Sequence, residues 1–490
     1  MNSPPSPATP RHTGVMAKVG KWILVVVAVA MGLVVALVVV AFSYLLYVRI
    51  PQNAAGMAAK SVCSAHFVAG RPQDAQTLME QDVLPASPAL SLISTSINEE
   101  EKTVTSRFLY VVRRQASLLN QRGCVLDAPA QPGAVAYTPA PPKPGQWPAG
   151  DEVAPQLQRV DATKLKQVVD NAFVGEGDPE KANARAVAVV QGGQLLVSRE
   201  GKDFAPNTAL HGWSMTKTVG AMLFYKRAAE VGLDINTPVV NAFRPNREPS
   251  WVAEWRKDER AKITVADLLY MRDGLQNEES YSVTGAVVQM LYGEPDMAAW
   301  AAGMPAQYPA GTHWQYLSAT ANLLAEVTKG QFDSDEEYWA YSKTALFDPI
   351  GVTTATLETD TSGTWVNSSY LWTSSLDWAR LGQLMMHDGD WNGKQVLPAG
   401  WLKVATTPAV SEGEGHGYGA QTWLYGEKNG GSCSAYPGVP ADTIAMEGHW
   451  GQDVVMIPSR DAVIVRLGWT FNNGQFDDCQ FISDVVATLK

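Results

Sequence analysis

Cysteine is scarce in this chain: four residues in 490, none of them in a Cys-x-x-Cys pair. The seven histidines are scattered. Neither pattern offers a ligand set of metal-site spacing, and no metal or cofactor is expected. Basic residues are outnumbered, 38 Lys and Arg against 49 Asp and Glu, for a formal net charge of −11. A body of that sign repels a phosphate backbone, so no nucleic acid partner is expected. Charged residues make up only 18% and hydrophobic residues 46%, which excludes a disordered chain. No internal repeat is present. The length exceeds that of an average compact domain, and one large domain with additions is expected.

One stretch lacks charge altogether. Residues 22–48 read "WILVVVAVAMGLVVALVVVAFSYLLYV". A helix of that length rises about 40 Å, enough to cross a bilayer with some tilt. Trp22, Tyr44 and Tyr47 suit the two interfaces. Arg11, Lys18 and Lys21 precede the run with no acid among them, leaving −14 for the remainder. The expectation is a single-pass anchor with a cytoplasmic N-terminus and a periplasmic or otherwise extracytoplasmic body. A cleaved signal peptide is the alternative. Its apolar core is normally about 7–15 residues, shorter than this one, although the small residues of "NAAGMAAK" would suit a cleavage site.

Cys63, Cys124, Cys433 and Cys479 all lie beyond the span. Four cysteines on the outer side allow three disulfide connectivities. Cys63–Cys124 and Cys433–Cys479 keep each pair within one region and are favoured, with four free thiols as the alternative.

The order along the chain is a polar tail (1–20), the span (21–48), a juxtamembrane region (49–127), a Pro-rich stretch (128–157) and a main domain (158–490). Residues 128–155 hold eight prolines, the mark of a semi-rigid linker or a surface strap. In the main domain "DATKLKQVVDNAF" opens a helix with an Asp cap. "ARAVAVVQGGQLLVSREG" reads as a β-hairpin turning at Gln-Gly-Gly. Helical patterns fill the middle. "DVVMIP" and "AVIVRLGW" form a late antiparallel pair, and "FISDVVATLK" a closing helix. Strands at both ends with helices between them predict an α+β (α/β) fold, an antiparallel sheet flanked by helices and carrying an inserted helical subdomain.

Chemistry enters at "ALHGWSMTKTVGAMLFYKRA", which contains Ser214 and Lys217 and no second Ser-x-x-Lys anywhere in the chain. Residues three apart share a helix face, so Lys217 stands one turn from the Ser214 hydroxyl. A serine hydroxyl needs an adjacent base to become a nucleophile. A lysine can serve if burial lowers its pKa, and Trp213, Met215, Val219 and Met222 make burial expected. Taken alone, the motif is as well explained by an ordinary helix start with an exposed lysine. Further on, "GTHWQYLSATANLLAEV" places Tyr316 and Ser318 before an apolar helix, where a phenol can relay protons. "MEGHWGQDVVMIP" places His449, Trp450 and Gly451 before a β-run, where a glycine permits close approach of a ligand to an edge strand.

In order, Ser-x-x-Lys, Tyr-x-Ser and His-x-Gly resemble the motifs of the penicillin-recognising serine hydrolases. The chain is similar to the branch holding class C β-lactamases, family VIII carboxylesterases, D-aminopeptidases and 6-aminohexanoate-dimer (nylon oligomer) hydrolases. The likeness covers residues 158–490, with Tyr316 102 residues after Ser214 and His449 133 after Tyr316. It implies a β-lactamase/transpeptidase-like fold. It also implies an acylated nucleophile at Ser214, general acid and base work shared by Lys217 and Tyr316, and Ser318 in their network. His449 and Gly451 would line the cleft, and the N–H groups of Ser214 and Gln452 would form an oxyanion hole. "MRDGLQNEESYSVTG" resembles the nylon-hydrolase segment that brings a tyrosine to the cleft, here Tyr281, with Trp450 as a further substrate contact. Two positions depart from the β-lactamase pattern. His449 stands where lysine is typical and Ser318 where class C enzymes have asparagine, which counts against efficient β-lactam hydrolysis.

The expected function is a membrane-anchored serine hydrolase that cleaves a small ester or amide through an acyl-enzyme. A D,D-carboxypeptidase, D-aminopeptidase or β-lactamase acting at the cell wall is a second reading. A non-catalytic ligand-binding module is a third.

Overall fold

The computed structural model describes residues 3, 13–84, 88–139, 141–155, 160–178, 181–410, 414–426, 431–471 and 476–489. Most of the expected tail, and residues 140 and 156–157 of the Pro-rich stretch, fall outside them. Two compact units are present, residues 1–51 and 52–490. The first holds α1 (Thr13–Tyr47), whose stretch Lys21–Tyr47 is long and apolar enough to cross a membrane.

The second unit begins within α2 (Ile50–Cys63). After α3 (Ala75–Asp82), which Asp74 caps by accepting from the Thr77 N–H, comes an antiparallel meander. Its strands are β1 (Ile93–Asn98), β2 (Thr103–Phe108), β3 (Val112–Leu119) and β4 (Gly123–Leu126). Cys63 is bonded to Cys124, tying α2 to β4. This module has its own core, with Val62, Phe67, Val104 and Leu118 among its residues, and it is fused to the rest of the unit through buried charge. Glu358, from the main domain, is fully buried and accepts from Lys60, Ser64, the Cys124 N–H and the Trp372 indole. Asp82 sits between Arg71 and Arg185. A buried carboxylate surrounded by donors is tolerated, whereas an unpaired one is not.

The Pro-rich stretch is a strap lying on the main domain. The Trp147 ring is buried, its indole donating to Gln383 Oε1 (2.9 Å). Arg380 donates to the carbonyls of Pro148 and Gly150 and to Asp151.

Helix α4 (Ala162–Ala172) opens the main domain with the expected Asp161 cap. β5 (Ala184–Gln191) and β6 (Gln194–Glu200) form the expected hairpin, with Gly192 and Gly193 both at positive φ as a tight turn requires. A short strand β7 (Leu210–His211) leads into α5 (Met215–Val231), which ends at Gly232 in the left-handed conformation. The helical insertion follows as α6 (Val252–Trp255), α7 (Val265–Leu269), α8 (Ala286–Gly293), α9 (Met297–Ala302), α10 (Ser318–Lys329) and α11 (Asp335–Tyr341). β9 (Leu371–Thr373) pairs with both β7 and β8 (Thr356–Leu357) in a small sheet. After α12 (Ser375–Met386) come a ribbon, β10 (Asp390–Trp391) and β11 (Lys394–Gln395), and helix α13 (Trp401–Ala405). The last strands are β12 (Trp423–Leu424), β13 (Ile444–Gly448), β14 (Gln452–Ile457) and β15 (Ala462–Gly468), before α14 (Asp478–Val486).

The main sheet is antiparallel in the order β12-β13-β14-β15-β5-β6, so strands from both ends of the domain meet at β15 and β5. Side chains alternate across it. Ala186, Ala188 and Val190 of β5 join the core that holds α5 and α12. Val187 and Val189 join the core that holds α4 and α14. Both faces are covered, which is why these strands read as unbroken apolar runs. Gly382 lets α12 lie close, since a Cβ there would stand 2.7 Å from Val454 Cγ1. Cys433 is bonded to Cys479, holding the start of α14 to the segment before β13.

Candidate active site

Ser214 is the N-cap of α5, yet its side chain makes no capping hydrogen bond. A serine at this position ordinarily accepts from the first helical N–H groups. Here Lys217 Nζ lies 2.8 Å from its Oγ instead. The preceding residue, Trp213, is held at φ +47°, strained for a bulky side chain. Its ring is fixed between His211 (centroids 4.2 Å apart) and Trp450 (5.3 Å).

Lys217 is buried, with Nζ also 3.1 Å from Ser318 Oγ and 3.1 Å from the Ser368 carbonyl. Burial pulls its pKa down from 10.5 to about 8, against the opposing field of Glu279. The Ser318 hydroxyl donates to Glu279 Oε1 (2.7 Å), so its oxygen is left to accept from Lys217. A neutral amine has two N–H donors and one lone pair. Two acceptors, Ser318 and the Ser368 carbonyl, together with the Ser214 O–H as donor, match that set.

Glu279 did not emerge from the sequence. Its carboxylate accepts both the backbone N–H (2.7 Å) and the hydroxyl of Ser318 at the start of α10, where a negative charge suits the helix dipole. The only signal was an acid two residues before Tyr281, in a segment read for its tyrosine.

Tyr316 and Tyr281 both bring their phenols to the Ser214 side chain, and Tyr281 also reaches Ser318. Burial, reinforced by neighbouring acidic groups, pushes both phenols well above their ordinary pKa. The Tyr316 ring centroid lies 4.6 Å from Lys217 Nζ. His449 stacks on Tyr281 (4.1 Å, 8° between planes). Burial, with Lys217 nearby, lowers the His449 pKa to about 4, so its imidazole is neutral near pH 7.

The third motif occupies the turn between β13 and β14, and here two expectations are corrected. The strand after His449 is not at an edge: β14 lies between β13 and β15. Gly451 does line the cleft, and its φ of +77° favours glycine; a Cβ there would also crowd the Arg466 guanidinium. Gln452, expected to offer its amide to an oxyanion, is buried in the sheet and paired with Gly448 on one side and Leu467 on the other. Its side-chain amide donates to the carbonyls of His449, Trp450 and Gly468, bracing the turn. The residues that do line the cleft at this point are Gly448, His449, Trp450 and Gly451. Gly448 packs on the Gly212 carbonyl beside the nucleophile, with room for no Cβ (2.3 Å).

The cleft measures about 430 Å³. Ser214, Tyr281, Tyr316 and His449 stand on its walls with Glu279, Glu447, Asp453, Asp478 and Arg466. Among the described residues the two cations here are already engaged, Lys217 as described and Arg466 by the carbonyls of Gly451 and Ala182 and by Thr470. Among the described residues, no group of three or more His, Cys, Asp or Glu side chains is placed to hold a metal ion.

No curated protein matches the sequence. Solved structures share the fold at low identity. A protein assigned as a 6-aminohexanoate-dimer hydrolase from Bacillus anthracis is 18% identical with a TM-score of 0.52, over 68% of this chain and 86% of its own. A penicillin-binding protein homologue from Caulobacter crescentus is 16% identical with a TM-score of 0.51, over 69% and 99%. EstCE1, a hydrolase with promiscuous acyltransferase activity, is 11% identical with a TM-score of 0.50, over 67% and 98%. The beta-lactamase family profile matches residues 169–478, more than half of the sequence and the whole of the region that builds the cleft around Ser214, and the chain belongs to the beta-lactamase family.

Proposed function

We propose that the protein is a membrane-anchored serine hydrolase that cleaves a small ester or amide through an acyl-enzyme on Ser214. The observation that carries this reading is the Lys217 amine, buried and hydrogen-bonded to the Ser214 hydroxyl. Ser214 Oγ attacks the carbonyl carbon and its proton passes to Lys217 Nζ. The pKa values divide the labour. Lys217, at about 8, has a minor but accessible neutral fraction near physiological pH, while Tyr316 stays protonated. Lys217 is therefore the base, and Tyr316 donates a proton to the leaving group as the carbon–heteroatom bond breaks. Lys217 then returns the proton to Tyr316. Water, activated by the same pair, releases the acid from Ser214. The developing oxyanion is met by the Ser214 N–H and an N–H of the Gly448–Gly451 turn, in place of the one expected at Gln452. Each such donor is worth about 10²–10³ in rate.

The charge of the cleft narrows the substrate. Among the described residues no cation lining the cleft is free to meet a carboxylate, and of its four acidic side chains burial pushes Glu447, Asp453 and Asp478 up toward their neutral forms. That favours a neutral or amino-bearing ester or amide over a β-lactam or a peptide with a free C-terminal carboxylate. The apolar run 22–48, behind Arg11, Lys18 and Lys21, supports a cytoplasmic N-terminus and an extracytoplasmic cleft. The test offers the full-length protein and its Ser214→Ala variant short esters, linear amide oligomers, D-amino-acid amides and a β-lactam, with products followed by mass spectrometry. Turnover retained in Ser214→Ala would refute the nucleophile. A covalent adduct on Ser214 from the β-lactam, with no ester or amide cleaved, would replace this reading with the cell-wall one.

A further inference from the structure

The turn joining β2 and β3 has three residues, Leu109, Tyr110 and Val111. All face solvent, with 45%, 84% and 66% of their surface exposed, and Leu92 beside them is 46% exposed. The Leu109 N–H donates to the Leu92 carbonyl (3.1 Å), which fixes the four as one patch. The backbone bends through positive φ at Leu109 (+46°) and Tyr110 (+61°). Gly or Asn takes that conformation most readily. Two large side chains occupy it instead and are thrust outward.

Directly behind this tip, Arg107 and Arg113 are opposite each other across the two strands. Like charges at such a pair disfavour the sheet. Arg113 donates to Gln115 and Thr105, and among the described residues neither arginine meets a carboxylate. An anion placed at the collar would relieve the repulsion.

The position in the chain says which partner carries that anion. Arg114, three residues from Val111 and so about 10 Å along the strand, donates through Nη1 to the Gln52 carbonyl (3.2 Å). Gln52 is the first residue of the compact body, and the apolar span ends at Tyr47. The intervening chain covers at most roughly 18 Å. The tip therefore belongs to the hairpin that also holds Gln52, the residue at which the chain enters the body.

We propose that Leu109, Tyr110 and Val111 insert into the interfacial region of the lipid bilayer in which the protein is anchored, with Arg107 and Arg113 on the lipid phosphates. Aliphatic and aromatic side chains belong at the acyl boundary, and guanidinium groups at anionic headgroups just above it. A second, shallow attachment would hold the body at one orientation to the membrane. The proposal rests on reading residues 21–47 as a retained anchor.

The test uses the full-length protein in vesicles containing phosphatidylglycerol. A photo-reactive p-benzoylphenylalanine is placed at position 110, and in a control at position 174, where Val174 is 68% exposed. Flotation of the vesicles reports the anchor, and mass spectrometry after illumination reports what position 110 touches. The expected result is flotation with lipid adducts at 110 about tenfold above those at 174, as interfacial burial implies. Adding Arg107→Glu and Arg113→Glu should cut the adducts several-fold in anionic vesicles while leaving the thermal midpoint unchanged. Flotation without excess adducts at 110, or adducts to a second copy of the chain, would overturn the tip and leave the anchor standing. Absence of flotation would overturn both. A double variant that labels lipid as before would overturn the role of the arginines.

Discussion

Among the described residues two lysines are buried, each beside a serine and a glutamate, and they have opposite settings. Lys60 touches Ser64 (3.0 Å) and is in direct contact with Glu358, in a place sealed between the N-terminal module and the main domain. Lys217 touches Ser214, but its glutamate is one hydroxyl away: Glu279 binds Ser318, and Ser318 binds Lys217. Burial lowers both amines. Direct contact with Glu358 pulls Lys60 back toward its charged form. The carboxylate acting at a distance leaves Lys217 at about 8. The same three residue types thus make a structural clamp where the carboxylate touches the amine, and a candidate base where a serine stands between them and a cleft opens alongside.

The largest effect should come from the open cluster. Ser214→Ala should lower turnover by about 10⁴-fold or more, and Lys217→Met by about 10²–10⁴, in single-turnover assays with whichever substrate is found. Neither change should unfold the protein, since each leaves the cleft lined and the sheet intact. The sealed cluster should behave the other way. Lys60→Met strands the Glu358 charge and should cost about 3–5 kcal/mol, read as a fall in denaturation midpoint. Turnover per folded molecule should barely change. Adding Glu358→Gln should recover much of the stability, because the stranded charge is gone. Loss of turnover in folded Lys60→Met would break the comparison.

The two clusters were not equally legible in the sequence. Ser214 and Lys217 stand out because three residues on one helix already make a shared face. Tyr316 and His449 gained meaning only from their order behind that pair. Glu279 and Glu358 were silent, since each gets its partners from distant parts of the chain: Ser318 lies 39 residues from Glu279, and Lys60 lies 298 from Glu358. The hairpins β5–β6 and β14–β15 are local and were readable. The pairing of β15 with β5, which closes the sheet, is not local, though the apolar runs at both ends of the domain implied it. Gln452 was misjudged because motif spacing does not reveal that β14 has a neighbour on each side. The strands of the N-terminal meander escaped notice for another reason. "ISTSIN" and "TVTSRF" carry hydroxyls where a half-buried strand would show regular apolar alternation.

The pH dependence sharpens the contrast with a smaller effect. Only the neutral Lys217 can accept the Ser214 proton. Its fraction grows as pH rises through about 8, so kcat/KM should climb through that value and then level off. Glu279 raises the Lys217 pKa, so Glu279→Gln, which can still accept one of the two Ser318 hydrogen bonds, should move this midpoint below about 8. A midpoint that moves up, or stays, would remove Glu279 from the electrostatics of the base.

The smallest expected effect concerns His449, which stands where a lysine is typical of β-lactamases. Were it charged near neutrality, the cleft would regain a free cation and its preference for neutral or amino-bearing substrates would weaken. Burial and Lys217 instead hold its pKa near 4. The protonated form is then scarce at every pH above 5, and the rate profile should show no step at 6.5, the ordinary value for histidine. His449→Phe keeps a ring to stack on Tyr281 and should change kcat/KM only several-fold, with the limb near 8 intact. A step near 6.5 that disappears in His449→Phe would mean that the imidazole carries charge during turnover. The cleft would then hold a cation able to receive an anionic substrate, and the substrate class drawn from its charge would have to be reversed.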